Sequence, residues 1–346
     1  MKSNALRKLY IALFLVICLV PAVFMLILGP SDAGANEVLS SAPRLFSSSG
    51  ELNTDYLSDI SDYISDRFAF RQEFISAWSF VNEKIFNTST DEQVVLGKNG
   101  ELFYSETLDD YMGLSMTDAE LDEACSRLAA LQSEIEDSGS RFIFTIAPNK
   151  NSLYPGNMPD YINNQHETSN AEKIIPYLEK YGINYVDLYS VLSGGERLYY
   201  YTDTHWTAKG AALGADALLT AAGISSDFAA RSFAEGGLRP GDLYEMLYPT
   251  GRGRENEIVC SPAPSYCAEG SENGGNAITI NTTGSGEKSI FCWRDSFGIA
   301  LYPYLAEGSS WACFCRSTDF AADKCEGYDV VILELVERNL NYLLID

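Results

Sequence analysis

Hydrophobic patterning begins at the N-terminus with an unbroken apolar run. From Leu9 to Leu28 there are 20 residues without a charge, interrupted by Pro21, preceded by Lys2, Arg7 and Lys8 and followed by Gly29-Pro30-Ser31-Asp32. A helix of that length crosses a bilayer. The basic flank predicts a cytoplasmic N-terminus, with everything after residue 30 on the outer side. Ala33-Gly34-Ala35 offers a cleavage pattern, but the run is longer than the apolar core of a usual signal peptide, so residues 1–30 are expected to stay as an anchor. Residues 31–55, rich in Ser, Gly, Ala and Asn, read as a tether. Phe70, Phe74, Ile75, Trp78, Val81 and Ile85 then recur at helical spacing, which predicts an amphipathic helix whose apolar face packs against a domain.

Beyond residue 92 the period changes. Val94-Val95-Leu96-Gly97 and Glu101-Leu102-Phe103-Tyr104 flank Lys98-Asn99-Gly100, a hairpin whose Asn-Gly pair supplies positive φ angles. Thr117 and Glu120 form a capping box ahead of Leu121, Ala124, Cys125, Leu128, Leu131 and Ile135, and Gly139 ends that helix. Strands are predicted at 142–146, 185–188, 289–293, 311–314 and 330–335, and further helices at 171–180 and 207–222. Alternating helices and strands imply a parallel sheet covered on both faces, an α/β domain over residues 93–346. Residues from about 225 to 288, rich in Gly, Ser, Asn and Glu, read as a long inserted loop.

Composition narrows the function. Lys and Arg total 24 against 48 Asp and Glu, a formal charge of -24, which opposes nucleic-acid binding and docking on anionic lipid through a basic patch. Two histidines cannot make a His-rich metal site, and no C-x-x-C spacing occurs among the eight cysteines. Cys125, Cys292 and Cys313 fall on apolar positions and read as core residues, whereas Cys260 with Cys267, and Cys315 with Cys325, have spacings that allow a disulfide.

Two segments carry candidate chemistry. In Tyr201-Thr202-Asp203-Thr204-His205-Trp206-Thr207, extended residues two apart share a side, so Asp203 can orient the His205 ring. In Ser289-Ile290-Phe291-Cys292-Trp293-Arg294-Asp295-Ser296-Phe297-Gly298, an apolar strand enters a tight turn bearing Ser296 and then a helix. That is the layout of an exposed nucleophile whose turn N–H groups can hold an oxyanion, although a helix N-cap uses the same residue type. Together they supply a nucleophile, a base and an orienting carboxylate at strand ends of one sheet. Asn149 and Lys150, just after a strand, are candidates for completing an oxyanion hole or binding a carboxylate. Glu334, Glu337 and Arg338 follow the last strand and read either as internal ion pairs or as a sugar-binding wall. Trp206 reads as core and His166 as surface.

These segments resemble the SGNH hydrolase-like proteins with a D-H-H-W motif, relatives of the periplasmic alginate O-acetyltransferases. The resemblance rests on Asp66-Arg67-Phe68 with Arg71, the hairpin at 97–104, Ala147-Pro148-Asn149-Lys150 with Tyr154-Pro155, and Asp203 to Gly210. It continues through Gly241-Asp242-Leu243, Arg294-Asp295-Ser296-Phe297-Gly298, and Glu334 with Glu337-Arg338. Thr204 stands where many relatives have a first histidine, and Arg294 where typical SGNH enzymes have glycine. The resemblance implies a three-layer, flavodoxin-like SGNH domain whose motifs run in circularly permuted order. It casts Ser296 as nucleophile, His205 as general base and Asp203 as its orienter, with Asn149, Lys150, Arg294, Glu334 and Arg338 around oxyanion and substrate. The implied activity is O-acetylation of an exported or cell-wall polysaccharide, with no metal or cofactor, beside a multi-spanning membrane O-acyltransferase that supplies acetyl groups. A de-acetylating esterase and a non-catalytic polysaccharide-binding or assembly protein are the competing readings.

Overall fold

In the computed structural model, residues 2–29, 31, 39–47, 49–114, 116–162, 168–269 and 278–345 are described. The chain forms two compact units, Met1–Val94 with Asp242–Arg252, and Val95–Gly241 with Gly253–Asp346.

In the first unit the apolar run is a single helix, α1 (Lys2–Leu28), of which Ala5–Ile27 is long and apolar enough to cross a membrane. Helices α2 (Tyr56–Arg67) and α3 (Arg71–Val81) follow, and a π-helical turn, Asn82–Phe86, prolongs α3. The helix predicted from Phe70 to Ile85 therefore exists, but its apolar face is not the one that packs. Ser79 is the buried residue of α3, while Phe74, Trp78 and Ile85 remain 44%, 61% and 69% exposed. Small polar groups make the contacts instead. Ser79 Oγ lies 2.6 Å from Thr90 Oγ1, Thr250 Oγ1 donates to Ser76 Oγ at 3.0 Å, and Tyr248 donates its hydroxyl proton to Glu83 in a short hydrogen bond.

The second unit opens with the predicted hairpin, β1 (Val94–Leu96) paired with β2 (Leu102–Tyr104). Asn99 and Gly100 have φ of 58° and 80°, as a two-residue turn of this hand requires. Helix α4 (Asp118–Asp137) starts at the Thr117/Glu120 capping box and ends before Gly139 at φ 94°. It leads into β3 (Arg141–Ala147). Helix α5 (Asn170–Tyr181) has its own capping box, Ser169 with Glu172, and a left-handed Gly182 at its end. Strand β4 is short, Tyr185–Val186, because Asp187 accepts the Ser190 N–H and begins a helical turn at Leu188. Helix α6 (Ala208–Ala221) is followed by an antiparallel pair, β5 (Ser232–Arg239) and β6 (Glu255–Ser261). Then come β7 (Cys267–Glu269), β8 (Thr279–Thr283), β9 (Ile290–Trp293), α7 (Gly298–Gly308), β10 (Trp311–Cys315) and β11 (Val330–Val336).

The main sheet runs β4-β3-β11-β9-β10-β8-β7. The first five strands are mutually parallel, but β8 is antiparallel to β10, and β7 to β8, so the sheet is mixed and not wholly parallel as expected. The extra strands arise in the stretch read as a loop. Thr279-Ile280-Asn281-Thr282-Thr283 buries only alternate residues at the sheet margin, too little apolar surface to announce a strand. The parallel strands are apolar on both faces. Ile143, Ile290, Ala312 and Ile332 pack with α6 and α7 on one side, and Phe144, Phe291, Trp293 and Leu333 with α4 and α5 on the other.

The disulfides allowed by spacing do not form; all eight cysteines are free. Cys260 belongs to β6 and Cys267 to the main sheet, paired opposite Thr283, so the intervening loop delivers them to different sheets. Cys325 is buried in a turn with its Sγ on the Ala322 carbonyl, and Cys315 lies on β10.

Because Leu333 is wholly buried on the central strand β11, Leu333→Ala is expected to destabilise by about 2–5 kcal/mol through lost contact and a residual cavity. A lower urea midpoint at unchanged denaturant slope is the expected observation.

Candidate active site

Strand β9 ends at Trp293 and α7 starts at Gly298, leaving Arg294-Asp295-Ser296-Phe297 as the turn. Asp295 shapes it. One carboxylate oxygen accepts the Phe297 N–H at 2.8 Å, and the other accepts the Val336 N–H at 2.7 Å and an Asn339 side-chain N–H at 3.3 Å. The turn is thereby tied to the end of the neighbouring strand β11. Gly298 completes it, since a Cβ there would fall 2.5 Å from Arg294 Cβ. Phe297 takes the helix-cap position without a side-chain bond, so Ser296, half-exposed, is not spent on capping.

The partner loop is held from both sides. Tyr199 and Trp206 form an isolated bridge, and Thr207 donates its N–H to Leu198 O at 2.7 Å. The Lys150 ammonium, buried, donates to the carbonyls of Tyr200, Tyr201 and Asp203 at 3.2, 3.2 and 2.7 Å. Glu255 takes the opposite edge, accepting the N–H groups of Tyr201 and Thr202 at 2.7 Å each and the Thr202 hydroxyl in a short bond. Within this clamp Asp203 Oδ1 accepts the His205 backbone N–H at 2.8 Å and lies 2.8 Å from His205 Nδ1. His205 Nε2 lies 2.9 Å from Ser296 Oγ. With the Nδ1 proton on the Asp203 side, the Nε2 lone pair faces the serine hydroxyl. Phe297 packs 4.8 Å from the imidazole and 5.2 Å from the Trp206 ring, limiting how far the imidazole can turn.

Arg239, on β5, places Nη2 3.0 Å from Asp203 Oδ2. Burial alone would raise the Asp203 pKa, but the hydrogen bonds from His205 and the positive charge of Arg239 outweigh it and hold the carboxylate well below the usual range. Asp203 is therefore an ionised acceptor throughout the neutral range. Burial pushes Glu334 the other way, and the adjacent Asp295 charge adds to the shift, so Glu334 stays protonated well above its ordinary value of 4.5 despite the Asp295 N–H bond and the Arg294 charge.

The remaining sequence candidates fall into distinct places. Lys150 is buried, and its ammonium donates to backbone carbonyls and shapes the loop. Asn149 is buried, its N–H on Glu337 at 2.8 Å and its side-chain amide on Asp110 at 3.2 Å. Glu337 also accepts the Ser152 hydroxyl at 2.6 Å, so it serves the end of β3. Arg294 is buried behind the turn, donating to the Asp295 carbonyl at 3.1 Å. Arg338 lies over the Phe297 ring at 5.8 Å and the Tyr104 ring at 5.3 Å, beside the Ser296 turn. Trp206 is core, and His166 lies outside the described residues. The contributions of Arg239 and Glu255 were not foreseen: each comes from the segment read as a loop, and no spacing links it to Asp203.

Known proteins resemble this chain in sequence and in fold. Residues 94–253 match the family model of the SGNH hydrolase-like domain of acetyltransferase AlgX. Over that stretch this chain is similar to an SGNH hydrolase-like domain. It is 30% identical over 225 residues to a probable alginate O-acetylase AlgJ of Pseudomonas syringae pv. tomato, covering 62% of this chain and 52% of that protein. The chain thus spans about half the length of that curated relative. Its fold is similar to Bacillus cereus PatB1, solved with a sulfonyl adduct, at 13% identity and TM-score 0.53, covering 71% of this chain and 97% of that one. A DHHW family protein from Eubacterium siraeum is similar at 15% identity and TM-score 0.52, covering 71% and 94%.

The buried Glu334 gives a pH test. A carboxyl whose folded pKa is raised loses stabilisation as pH climbs above its unfolded value, because only the unfolded state then ionises freely. Glu334→Gln removes that loss. Its stability relative to the parent, from urea unfolding, is expected to rise steadily between about pH 5 and pH 8.

Proposed function

We propose that the protein is a membrane-anchored, extracytoplasmic O-acetyltransferase that modifies hydroxyls of an exported or cell-wall polysaccharide. The observation that carries this reading is the unbroken line from Ser296 Oγ through the His205 ring to Asp203. Its chemistry follows from the geometry. His205 Nε2 takes the Ser296 proton as Oγ attacks the acetyl carbonyl of a donor. The Ser296 N–H, which has no acceptor among the described hydrogen bonds, is available to the oxyanion. Collapse expels the donor's leaving group with the proton from His205 and leaves acetyl-Ser296. A sugar hydroxyl then attacks, its proton passing to His205 and on to Ser296. Asp203, kept ionised, stabilises the imidazolium that forms twice in the cycle. The half-exposed serine suits an acceptor that is a long polymer and cannot be enclosed.

Strand order supports the permuted reading. Counted cyclically from β9 through the C-terminus to β4, the five parallel strands run 2-1-3-4-5, the flavodoxin-like order. Ser296 then follows the first strand, and Asn149 and Glu337 also end strands at the same edge, where open α/β sheets place their sites. Helix α1 serves as the anchor, which puts the domain outside the cytoplasmic pool of acetyl-CoA and calls for a multi-spanning partner to pass acetyl across the bilayer.

The detergent-solubilised chain, mixed with an activated acetyl ester, is expected to show an acetyl adduct by intact mass that Ser296→Ala abolishes. Turnover should fall by roughly 10⁴- to 10⁶-fold in Ser296→Ala and His205→Ala. Acetyl transfer to added glycan supports the transferase, while release as acetate alone would make the protein an esterase. A folded chain that forms no adduct would leave a binding or assembly role. Lys150→Met, which leaves three carbonyls without their donor, should lower kcat with little change in KM.

A further inference from the structure

We propose that α3 and its π-helical extension lie in the outer interface of the membrane, with Phe74, Trp78, Val81 and Ile85 immersed between lipid headgroups and upper acyl chains. This rests on the reading of α1 as a membrane span. Steps of four, three and four residues place these side chains on one stripe of the helix. Phe74, Trp78 and Ile85 are exposed in spite of their size. The stripe is not a core face left over, because the contacts of α3 come from the opposite side, where Ser76, Ser79 and Glu83 bond to Thr250, Thr90 and Tyr248.

Placement identifies the occupant. Phe24, near the end of α1, meets Phe70 edge-to-face with ring centroids 5.3 Å apart, and Phe70 is the residue from which α3 starts. The Ser31 N–H donates to the Arg67 carbonyl at 2.9 Å, closing the chain just beyond α1 onto the end of α2. The charge-free run from Leu9 to Leu28 measures about 30 Å, matching the hydrocarbon core, so Phe24 lies about one helical turn inside its outer boundary, at the level of the upper acyl chains. Helix α3 therefore begins at the membrane surface. Tryptophan and phenylalanine on the apolar side of a helix are the residues that settle into this zone. No charge interrupts the stripe and the chain is acidic overall, so zwitterionic lipid is the partner and attraction to anionic headgroups is not needed.

The test uses the full chain reconstituted into phosphatidylcholine vesicles, with and without acyl chains brominated near the headgroup. Trp78 is isolated as the emission lost in Trp78→Phe, a conservative change at an exposed position. Brominated lipid is expected to quench the greater part of that emission, while the buried Trp206 and Trp293 stay bright. A chain that floats with the vesicles but whose Trp78 emission is untouched by bromine overturns the interfacial assignment alone, and is what a protein cover over this face would give. A chain that fails to float overturns the anchor and this proposal with it. The acyl-enzyme chemistry at Ser296 is unaffected by either outcome.

Discussion

The ammonium of Lys150 is buried, and a buried cation is tolerated only where acceptors converge on it. Three carbonyls of the 200–203 loop supply them, which forces that loop to curl around the end of β3. The opposite edge of the same loop offers N–H groups, and the Glu255 carboxylate collects them. Between cation and anion the backbone has little freedom, and Asp203 and His205 project from it in a fixed relation. The relation of Asp203 to His205 is thus set by two charges that grip the loop's backbone.

The same economy holds at the Ser296 turn. Asp295, next to Ser296, directs both carboxylate oxygens to backbone N–H groups, one in its own turn and one on β11. Behind it a protonated Glu334 accepts the Asp295 N–H at 3.2 Å. Burial first, and then the neighbouring carboxylate, hold Glu334 neutral. One hydrogen bond between Ser296 and His205 then joins two loops, each held by its own buried contacts. For the proposed acyl transfer such preorganisation would matter, since the line would not have to be assembled during the reaction.

Much of this was legible in the sequence where the cause is local. The capping box at Thr117 announces a helix because side chains three residues apart satisfy the first free N–H groups. Asn99-Gly100 announces its turn through the φ values those residues tolerate. Asp203 and His205 could be paired because an alternation of two places both on one side, and Ser296 could be singled out because an apolar strand runs into a turn and a helix. Arg239 and Glu255 were invisible for the opposite reason: Glu255 is 53 residues from Thr202, and only the β5/β6 pair brings it and Arg239 to the loop.

The sequence by itself determined the apolar helix at the N-terminus, the strands buried on both faces, and the residue types of a nucleophile, a base and an orienting acid, because each depends on neighbours within a turn or two of chain. Tertiary structure decided the rest. It set the antiparallel margin of the sheet, kept Cys260 and Cys267 apart on different sheets, turned Lys150 inward, and gave Asp203 its arginine partner. Those outcomes depend on which distant segments share a low-dielectric interior, and hydrogen bonding there must be completed by whatever groups the fold delivers.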